Sequence, residues 1–418
     1  MQLKTILNRV ERHKSFVYGK SRFVEEGEQC GIEIELHPRA NGKPICSGCG
    51  RPAPRYDHAA EPRRFQFVPL WNLVVYFVYT MRRVNCPACG VKVEQVPWAQ
   101  GKGRLTTSFR WFLAGWAKRL SWRETATIFR TSWQSVFRSV KHAVQWGMVH
   151  RDLSEIEALG VDEVQWRRGH KYLTLVYQIN EGMKRLLWIG RERTEEALRR
   201  FFRILAERSK QSIRFVCSDM WQPYLNVLKE EIGQAVHVLD RFHIMKKMGE
   251  ALDAVRRAEA KRLVADGYEP VLKHSRWCLL KRPENLTDKQ TVKLSELLQY
   301  NLQSVRAYLL REDFQRFWEY RSPHWAGKFL DEWCTRAMRC CLEPMKQVAR
   351  SLRAHRALIL NWFKAEGTIS AGVVEGFNNK VKLTTRKSYG FRTEEAIETC
   401  LYHNLAALPE PNFTHRFW

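Results

Sequence analysis

The 418-residue sequence predicts a multidomain α/β protein, on three observations. Two Cys-x-x-Cys pairs bracket a β-rich stretch near the N-terminus. A short segment of helical periodicity follows. Beyond it, three closely spaced strands give way to strands separated by helices. The expected layout is a four-cysteine metal module over residues 1–100 and a helix-turn-helix over 101–152. An α/β domain then begins at 153–240, is interrupted by an all-helical insertion at 241–368, and is completed by 369–418.

Charge narrows the partners. Lys and Arg number 70 against 44 Asp and Glu, a net charge of +26. Such a field attracts polyanions through phosphate contacts that release counterions, so nucleic acid is the leading partner. A ribosome-associated factor and a surface serving only solubility are the rival readings of charge alone. The opening "MQLKTILNRVERHKS" is too polar for a secretory signal. The most apolar run, Leu70 to Met81, is short, carries Asn72 and reads as strands. The expectation is a cytoplasmic protein without membrane contact, nucleoid-associated when bound to DNA. Seven scattered cysteines, Cys30, Cys217, Cys278, Cys334, Cys340, Cys341 and Cys400, then read as small core hydrophobes.

In the N-terminal module, "CSGCG" supplies Cys46 and Cys49, and "CPACG" supplies Cys86 and Cys89. Each pair sets two thiolates on one tight knuckle, with Gly50 or Gly90 behind it. Two knuckles close a tetrahedral sulfur site, for which zinc is the natural occupant. The stretch between them, rich in Phe, Val, Tyr and Trp, reads as hairpin material with Pro69 near its turn.

After the polar linker "QGKGRLTTS", Ser121 with Glu124 makes a capping box, and Thr131-Ser132 restarts a second helix. There Val136, Phe137, Val140 and Val144 share one side, leaving Gln134, Ser135, Arg138 and Lys141 on the other. That is the layout of a recognition helix in a major groove. Gln134 and Arg138 suit base edges, and Lys141 suits phosphate.

From Ile156, "IEALGVDEVQW", "KYLTLVYQIN" and "KRLLWIGR" form a meander. A helix capped by Thr194, the strand "IRFVCSD", a helix after Trp221 and the strand "AVHVLD" complete a ribonuclease-H-like topology. In it the first and fourth strands are neighbours, so Asp162 and Asp219 would sit side by side. Two carboxylates that close repel unless a cation lies between them, and paired Mg²⁺ ions, or Mn²⁺, suit phosphodiester chemistry. The third acidic ligand is sought in "SAGVVEGFNNKVKLTTRKSYGFR". There Glu375 is followed one turn later by Asn379, and then by Lys380, Lys382, Arg386 and Lys387, which would grip a DNA backbone. The residues alone leave alternatives: Asp219 as a helix cap, Glu163 in place of Asp162, Glu375 as a solvated surface group.

The order of Cys-x-x-Cys knuckles, helix-turn-helix, "GVDE", "CSDMW", "LDRFHI" and "EGFNNKVK…SYGF" resembles the ISL-three family of bacterial insertion-sequence transposases over almost the whole chain. The resemblance implies a ribonuclease-H-like nuclease domain and assigns Asp162, Asp219 and Glu375 as its DDE triad. It also gives meaning to Asp240 and His243, which match a D-x-x-H signature near such sites. Residues alone would make these a helix cap and a buried hydrogen-bonding histidine. Trp221 would then brace the site or stack on a displaced base.

Between Arg241 and Thr368 helical periodicity prevails, as in Leu294, Leu297, Leu298, Asn301, Leu302, Val305 and Leu309, with breaks at Pro270, Pro283, Pro323 and Pro344. Trp277, Trp318, Trp325, Trp333 and Trp362 are expected in its core. The expected function is a transposase that binds the terminal inverted repeats of an insertion sequence, as a homodimer or larger on double-stranded DNA. It would cut and join strands with two Mg²⁺ ions, beside one structural Zn²⁺. A catalytically inactive DNA-binding regulator and a structure-specific repair nuclease are the alternatives.

Overall fold

A computed structural model describes residues 2–26, 29–167, 169, 171–365, 371–388 and 390–412, with the side chains of 26, 29, 371, 372 and 375 outside the description. The chain divides into two compact units, Met1–Arg151 with Thr384–Trp418, and Asp152–Leu383.

The first unit opens with helix α1 (Leu3–Val10) and strands β1 (Phe16–Glu26) and β2 (Gln29–Pro38), which the composition of that region does not announce. Next come β3 (Ile45–Cys46), β4 (Arg55–His58), β5 (Arg63–Leu70), β6 (Leu73–Tyr79), β7 (Arg82–Cys86) and β8 (Gly90–Gln95). The expected hairpin is β5–β6, turning at Trp71 and Asn72, both with positive φ. It joins a sheet ordered β1-β2-β6-β5, while the cysteine-bearing strands form another, β3-β8-β7-β4. A buried carboxylate ties the two sheets: Glu94 accepts from Tyr79 Oη at 2.6 Å, from the Arg82 backbone at 2.7 Å and from two Arg82 guanidinium nitrogens at 2.9 and 2.7 Å.

Helix α2 (Thr107–Trp116), capped by Thr106, begins inside the stretch expected to be linker, because Phe109, Phe112 and Leu113 are buried along one face. Helix α3 (Trp122–Ile128) carries the expected Ser121–Glu124 capping box. After a turn through Arg130 at φ 49°, Ser132 caps α4 (Trp133–His150), whose buried side includes Val136, Val140 and Val144.

The second unit is built on β9 (Ala158–Arg167), β10 (Lys171–Asn180) and β11 (Met183–Arg191), an antiparallel meander. Helices α5 (Glu195–Arg203) and α6 (Glu207–Gln211), expected as one helix, lead to β12 (Phe215–Ser218). Helix α7 (Gln222–Glu231) then leads to β13 (Val236–Leu239). The sheet order is β11-β10-β9-β12-β13, with β12 parallel to both neighbours. Apolar residues of α5 and α7, among them Phe201, Phe202, Tyr224 and Val227, bury one face of it.

Then come α8 (Arg241–Ala265), α9 (Arg276–Leu280), α10 (Asp288–Leu298), α11 (Gln303–Gln315), α12 (Pro323–Arg339), α13 (Glu343–Ala354) and α14 (Arg356–Lys364), plus two short 3₁₀ turns. Pro283, Pro323 and Pro344 start elements, where a missing N–H is harmless. The expected periodicity breaks after Leu298, and Leu298 and Leu309 are exposed. Of the tryptophans expected in the core, Trp318 and Trp333 are buried, but Trp277 and Trp325 stand out in solvent. Helix α15 (Ala371–Lys387) belongs to the second unit as far as Leu383, and α16 (Glu394–Leu405) packs on α4 in the first. No helix among the described residues is long and apolar enough to cross a membrane. Of the scattered cysteines, Cys217, Cys278, Cys334 and Cys400 are buried as expected, whereas Cys30 and Cys341 are exposed. Their elements end at the surface there, and residue type alone could not say so.

Candidate active site

The four sulfurs of Cys46, Cys49, Cys86 and Cys89 lie within 4.8 Å of one another. The Cys49 and Cys86 sulfurs are 3.6 Å apart, close to the separation of about 3.8 Å that a tetrahedron of Zn–S bonds of about 2.3 Å requires. Left-handed φ at Gly50 and Gly90, both 70°, lets each knuckle turn back. Backbone N–H groups of Cys49 and Gly48 pull the Cys46 thiol down to about 7, whereas hydrogen bonding with Cys49 pushes Cys89 up to about 12. Thiols this crowded cannot all ionise without a cation among them. Soft, closely packed sulfurs fit zinc.

In the second unit, register sets the carboxylates. Cys217 pairs with Gly160, and Ser218 with Leu239. Counting on two residues and one residue beyond those pairs, Asp219 lies level with Asp162 on one side and with Asp240 on the other. Asp219 and Asp240 thus directly follow the ends of two parallel strands, beside Asp162 in the middle of the third.

Asp162 is 4 % exposed. Its Oδ1 accepts the Glu163 backbone N–H at 2.7 Å, and its Oδ2 accepts from Asn378 Nδ2. Asp240 caps α8 by accepting the Phe242 N–H at 2.7 Å, and it holds His243 Nδ1 at 3.0 Å. The other ring nitrogen, Nε2, faces Asp162 Oδ1 at 4.0 Å. Burial pushes the Asp162 carboxyl up, against the pull of His243, the Glu163 N–H and Asn378. Burial works against the His243 imidazolium, but the Asp240 hydrogen bond and the charges of Asp162, Asp240 and Asp219 outweigh it and raise its pKa.

Adjacent strand residues face opposite ways, and Glu163 accordingly joins a different group. Arg193 NH2 lies 3.1 Å from Glu163 Oε1 and 3.2 Å from Asp219 Oδ2. Its guanidinium covers the Trp221 ring at 4.3 Å, and Trp221 packs edge-on against Tyr224. Trp221 therefore braces this corner. Asp219 Oδ1 accepts the Trp221 N–H at 3.0 Å, so the cap-like role and the charged role coexist. Burial, then the Asp219 charge, push Glu163 up to about 7, with Arg193 opposing. Glu163 Oε2 is buried without a hydrogen-bond partner.

Asp162 and Asp240 thus flank one imidazole, and Glu163 and Asp219 share one guanidinium. Four carboxylates against one guanidinium and one imidazole leave hard oxygen donors in excess, which suits a divalent cation. Among the described residues no three of these groups gather as closely as the four sulfurs. Glu375 falls within α15, and its side chain lies outside the described residues. The helix itself is seated on the sheet. Phe377 stacks on Tyr177 at 4.6 Å, and a Cβ on Gly160 would come within 2.7 Å of Val374. Tyr177 Oη donates to Asn378 Oδ1 at 3.2 Å.

Asn378, three residues after Glu375, meets Asp162, while Asn379, which helical spacing had favoured, is exposed. Spacings of three and four are equivalent on a helix, and only the packing of α15 decides between them. Arg193 has no signal in the sequence at all.

Of the residues expected to read DNA, Gln134 and Arg138 are exposed on α4. Ser135 is engaged in the Ser132 cap, and Lys141 pairs with Glu395. Lys380, Lys382, Arg386 and Lys387 are exposed along α15, and Lys387 also donates to the Arg119 carbonyl.

Comparison with known proteins shows the family. Residues 159–400 match the family model of the ISL3-type DDE transposases, and residues 42–89 match the zinc-finger of transposases of IS204, IS1001, IS1096 and IS1165. The chain is 30 % identical over 382 residues to the transposase for insertion sequence element IS1001 of Bordetella parapertussis, covering 90 % of this chain and 93 % of that one. It is 27 % identical over 398 residues to the transposase for insertion sequence element IS1557 of Mycobacterium tuberculosis, covering 89 % and 88 %. On these matches, and with its zinc-ribbon cysteines gathered, the chain belongs to the ISL3 family of DDE transposases, enzymes that act on DNA.

Proposed function

We propose that this transposase binds the terminal inverted repeats of its own insertion sequence and cuts and rejoins DNA there with Asp162, Asp219 and Glu375 as the catalytic triad. The observation that carries the reading is the parallel pairing of β9, which holds Asp162, with β12, which Asp219 directly follows, while α15, which bears Glu375, is seated against β9 through Asn378. The strand order β11-β10-β9-β12-β13 supports a ribonuclease-H-like catalytic domain.

Two Mg²⁺ ions bound by the triad would supply activation of the attacking oxygen and stabilisation of the departing one. The chain's own groups do the rest. Asn378 and the Glu163 N–H fix the Asp162 carboxylate, so that an oxygen donor is oriented before substrate arrives. His243, anchored by Asp240 through Nδ1, presents its Nε2 to Asp162 at 4.0 Å. Arg193 occupies an oxygen of Asp219 and must turn from it for that carboxylate to serve as ligand. Hydrolysis of one phosphodiester frees a 3′-hydroxyl, which attacks a second phosphodiester; no protein-linked intermediate is needed. The capped helices α3 and α4 support a helix-turn-helix that would offer Gln134 and Arg138 to base edges, with the basic side of α15 offered to phosphates. Joining two ends calls for at least a dimer on DNA.

The test is cleavage of a duplex bearing the element's end, with Mg²⁺. Asp162→Asn, Asp219→Asn and Glu375→Gln should each abolish cutting while leaving footprints on the terminal repeat intact. Cutting by Asp219→Asn at the wild-type rate would overturn the assignment.

A further inference from the structure

The helical segment carries a groove to which nothing above assigns a role. It is a cavity of about 840 Å³ lined by α8, α9 and α11. Along α8 it follows Phe242, Lys246, Gly249, Asp253 and Arg256–Arg257, a spacing of threes and fours that marks one helix face. From Phe242 to Arg257 that face runs about 22 Å at about 1.5 Å per residue. Its near end adjoins the acidic residues, for Phe242 directly precedes His243, which Asp240 and Asp162 flank.

The groove is strongly cationic. Lys246, Arg256, Arg257, Arg276, Arg282 and Arg311 line it against only Glu250 and Asp253. Asp253 is shared by three guanidiniums, Arg256 at 2.8 Å, Arg257 at 3.5 Å and Arg276 at 3.7 Å, and one carboxylate cannot neutralise three. Arg311, 7 % exposed, spends its terminal nitrogens on the carbonyls of Leu279 and Leu280 and on Glu312, while its Nε has no partner. Two aromatic rings are left open among these charges. Trp277 is 52 % exposed with Arg276 5.0 Å from its ring, and Phe242 is 43 % exposed. An apolar ligand would strand the guanidiniums, and a free anion would leave the rings unused. Cations and open aromatic faces along one groove suit one occupant: phosphates on the guanidiniums and unpaired bases on the rings.

We propose that this groove binds single-stranded DNA, guiding the strand that runs from the cleavage site along α8, with an unpaired base stacked on Trp277. The assignment of that strand rests on the transposase reading above; the binding chemistry does not.

The test uses the full chain and a fluorescein-labelled oligothymidylate of about ten nucleotides, within the usual site size for single strands. Anisotropy is read against salt, with an end-containing duplex as the second probe. Trp277→Ala should weaken single-strand binding about tenfold, as loss of one base–aromatic stack does. Trp277→Phe should restore most of it. The double variant Arg257→Ala/Arg276→Ala should lower the slope of log affinity against log salt by about 1.4, two single-strand phosphate contacts. Trp325→Ala, equally exposed but outside the groove, should change nothing. Duplex affinity and unfolding temperature should hold throughout. The proposal is overturned if both groove variants bind the oligothymidylate within twofold of wild type, or if duplex binding falls in parallel with it. Cleavage is scored separately. Wild-type cutting by Asp219→Asn would remove the triad and leave a measured groove standing, whereas normal single-strand binding by the groove variants beside triad-dependent cutting would remove the groove alone.

Discussion

Glu163→Gln tests how the acidic corner stores its charge. The Glu163 carboxyl titrates at about 7 because it is buried and faces Asp219, where an unfolded chain would titrate it at about 4.5. The folded protein therefore holds the proton more tightly than the unfolded one. The resulting stabilisation is complete below the unfolded value, fades as pH rises through 7 and leaves, above it, an ionised group whose burial weakens the fold. Between 4.5 and about 7, at about 1.4 kcal/mol per pH unit, the penalty comes to about 3 kcal/mol, and partial solvent screening trims it towards 2. Glutamine keeps the shape and never ionises. Hydrogen exchange of the β9 backbone, in chelator so that no divalent cation intervenes, reads the local opening. Exchange in Glu163→Gln should be slower than in wild type by a few-fold at pH 5 and by roughly thirtyfold to a hundredfold at pH 8. A ratio independent of pH, or faster exchange in the variant at pH 8, would refute the reasoning and show the Arg193 ion pair outweighing burial.

Three further outcomes are expected. The chain should carry one zinc, measured by atomic emission, and Cys86→Ser should lose it together with the exchange protection of β7 and β8, since a broken tetrahedron leaves three crowded thiols. Glu94→Ala should speed exchange in β6 to β8 about a hundredfold or more, because removing one partner of a buried ion pair costs about 3–5 kcal/mol; a pair worth only a surface bridge would show less than tenfold. Gly160→Ala should destabilise the seat of α15 by about 1–3 kcal/mol, since the new Cβ falls 2.7 Å from the buried Val374, and strand cleavage should drop sharply while footprints on end DNA persist.

The metal-binding module was open to reading because its chemistry is local. Two thiolates must share a knuckle, and the knuckle must turn on glycine, so Cys46, Cys49, Cys86 and Cys89 announce themselves by spacing. The five strands of the second unit and the caps at Ser121, Thr194 and Asp240 were likewise legible, since alternation and capping are properties of neighbours. Strands β1 and β2 and helix α2 were not, because polar residues at their exposed positions break the pattern that burial of the others completes.

What the sequence by itself determined about this transposase is an inventory: which acidic, basic and sulfur-bearing residues exist, and at what local spacing. The partners of those charges were decided in three dimensions. Asn378 and not Asn379 meets Asp162, Arg193 bridges Glu163, 30 residues before it, and Asp219, 26 residues after it, and Arg256, Arg257 and Arg276 crowd one aspartate beside an open tryptophan. Electrostatic energy depends on separation in space and on the water excluded between groups, and neither is encoded in separation along the chain.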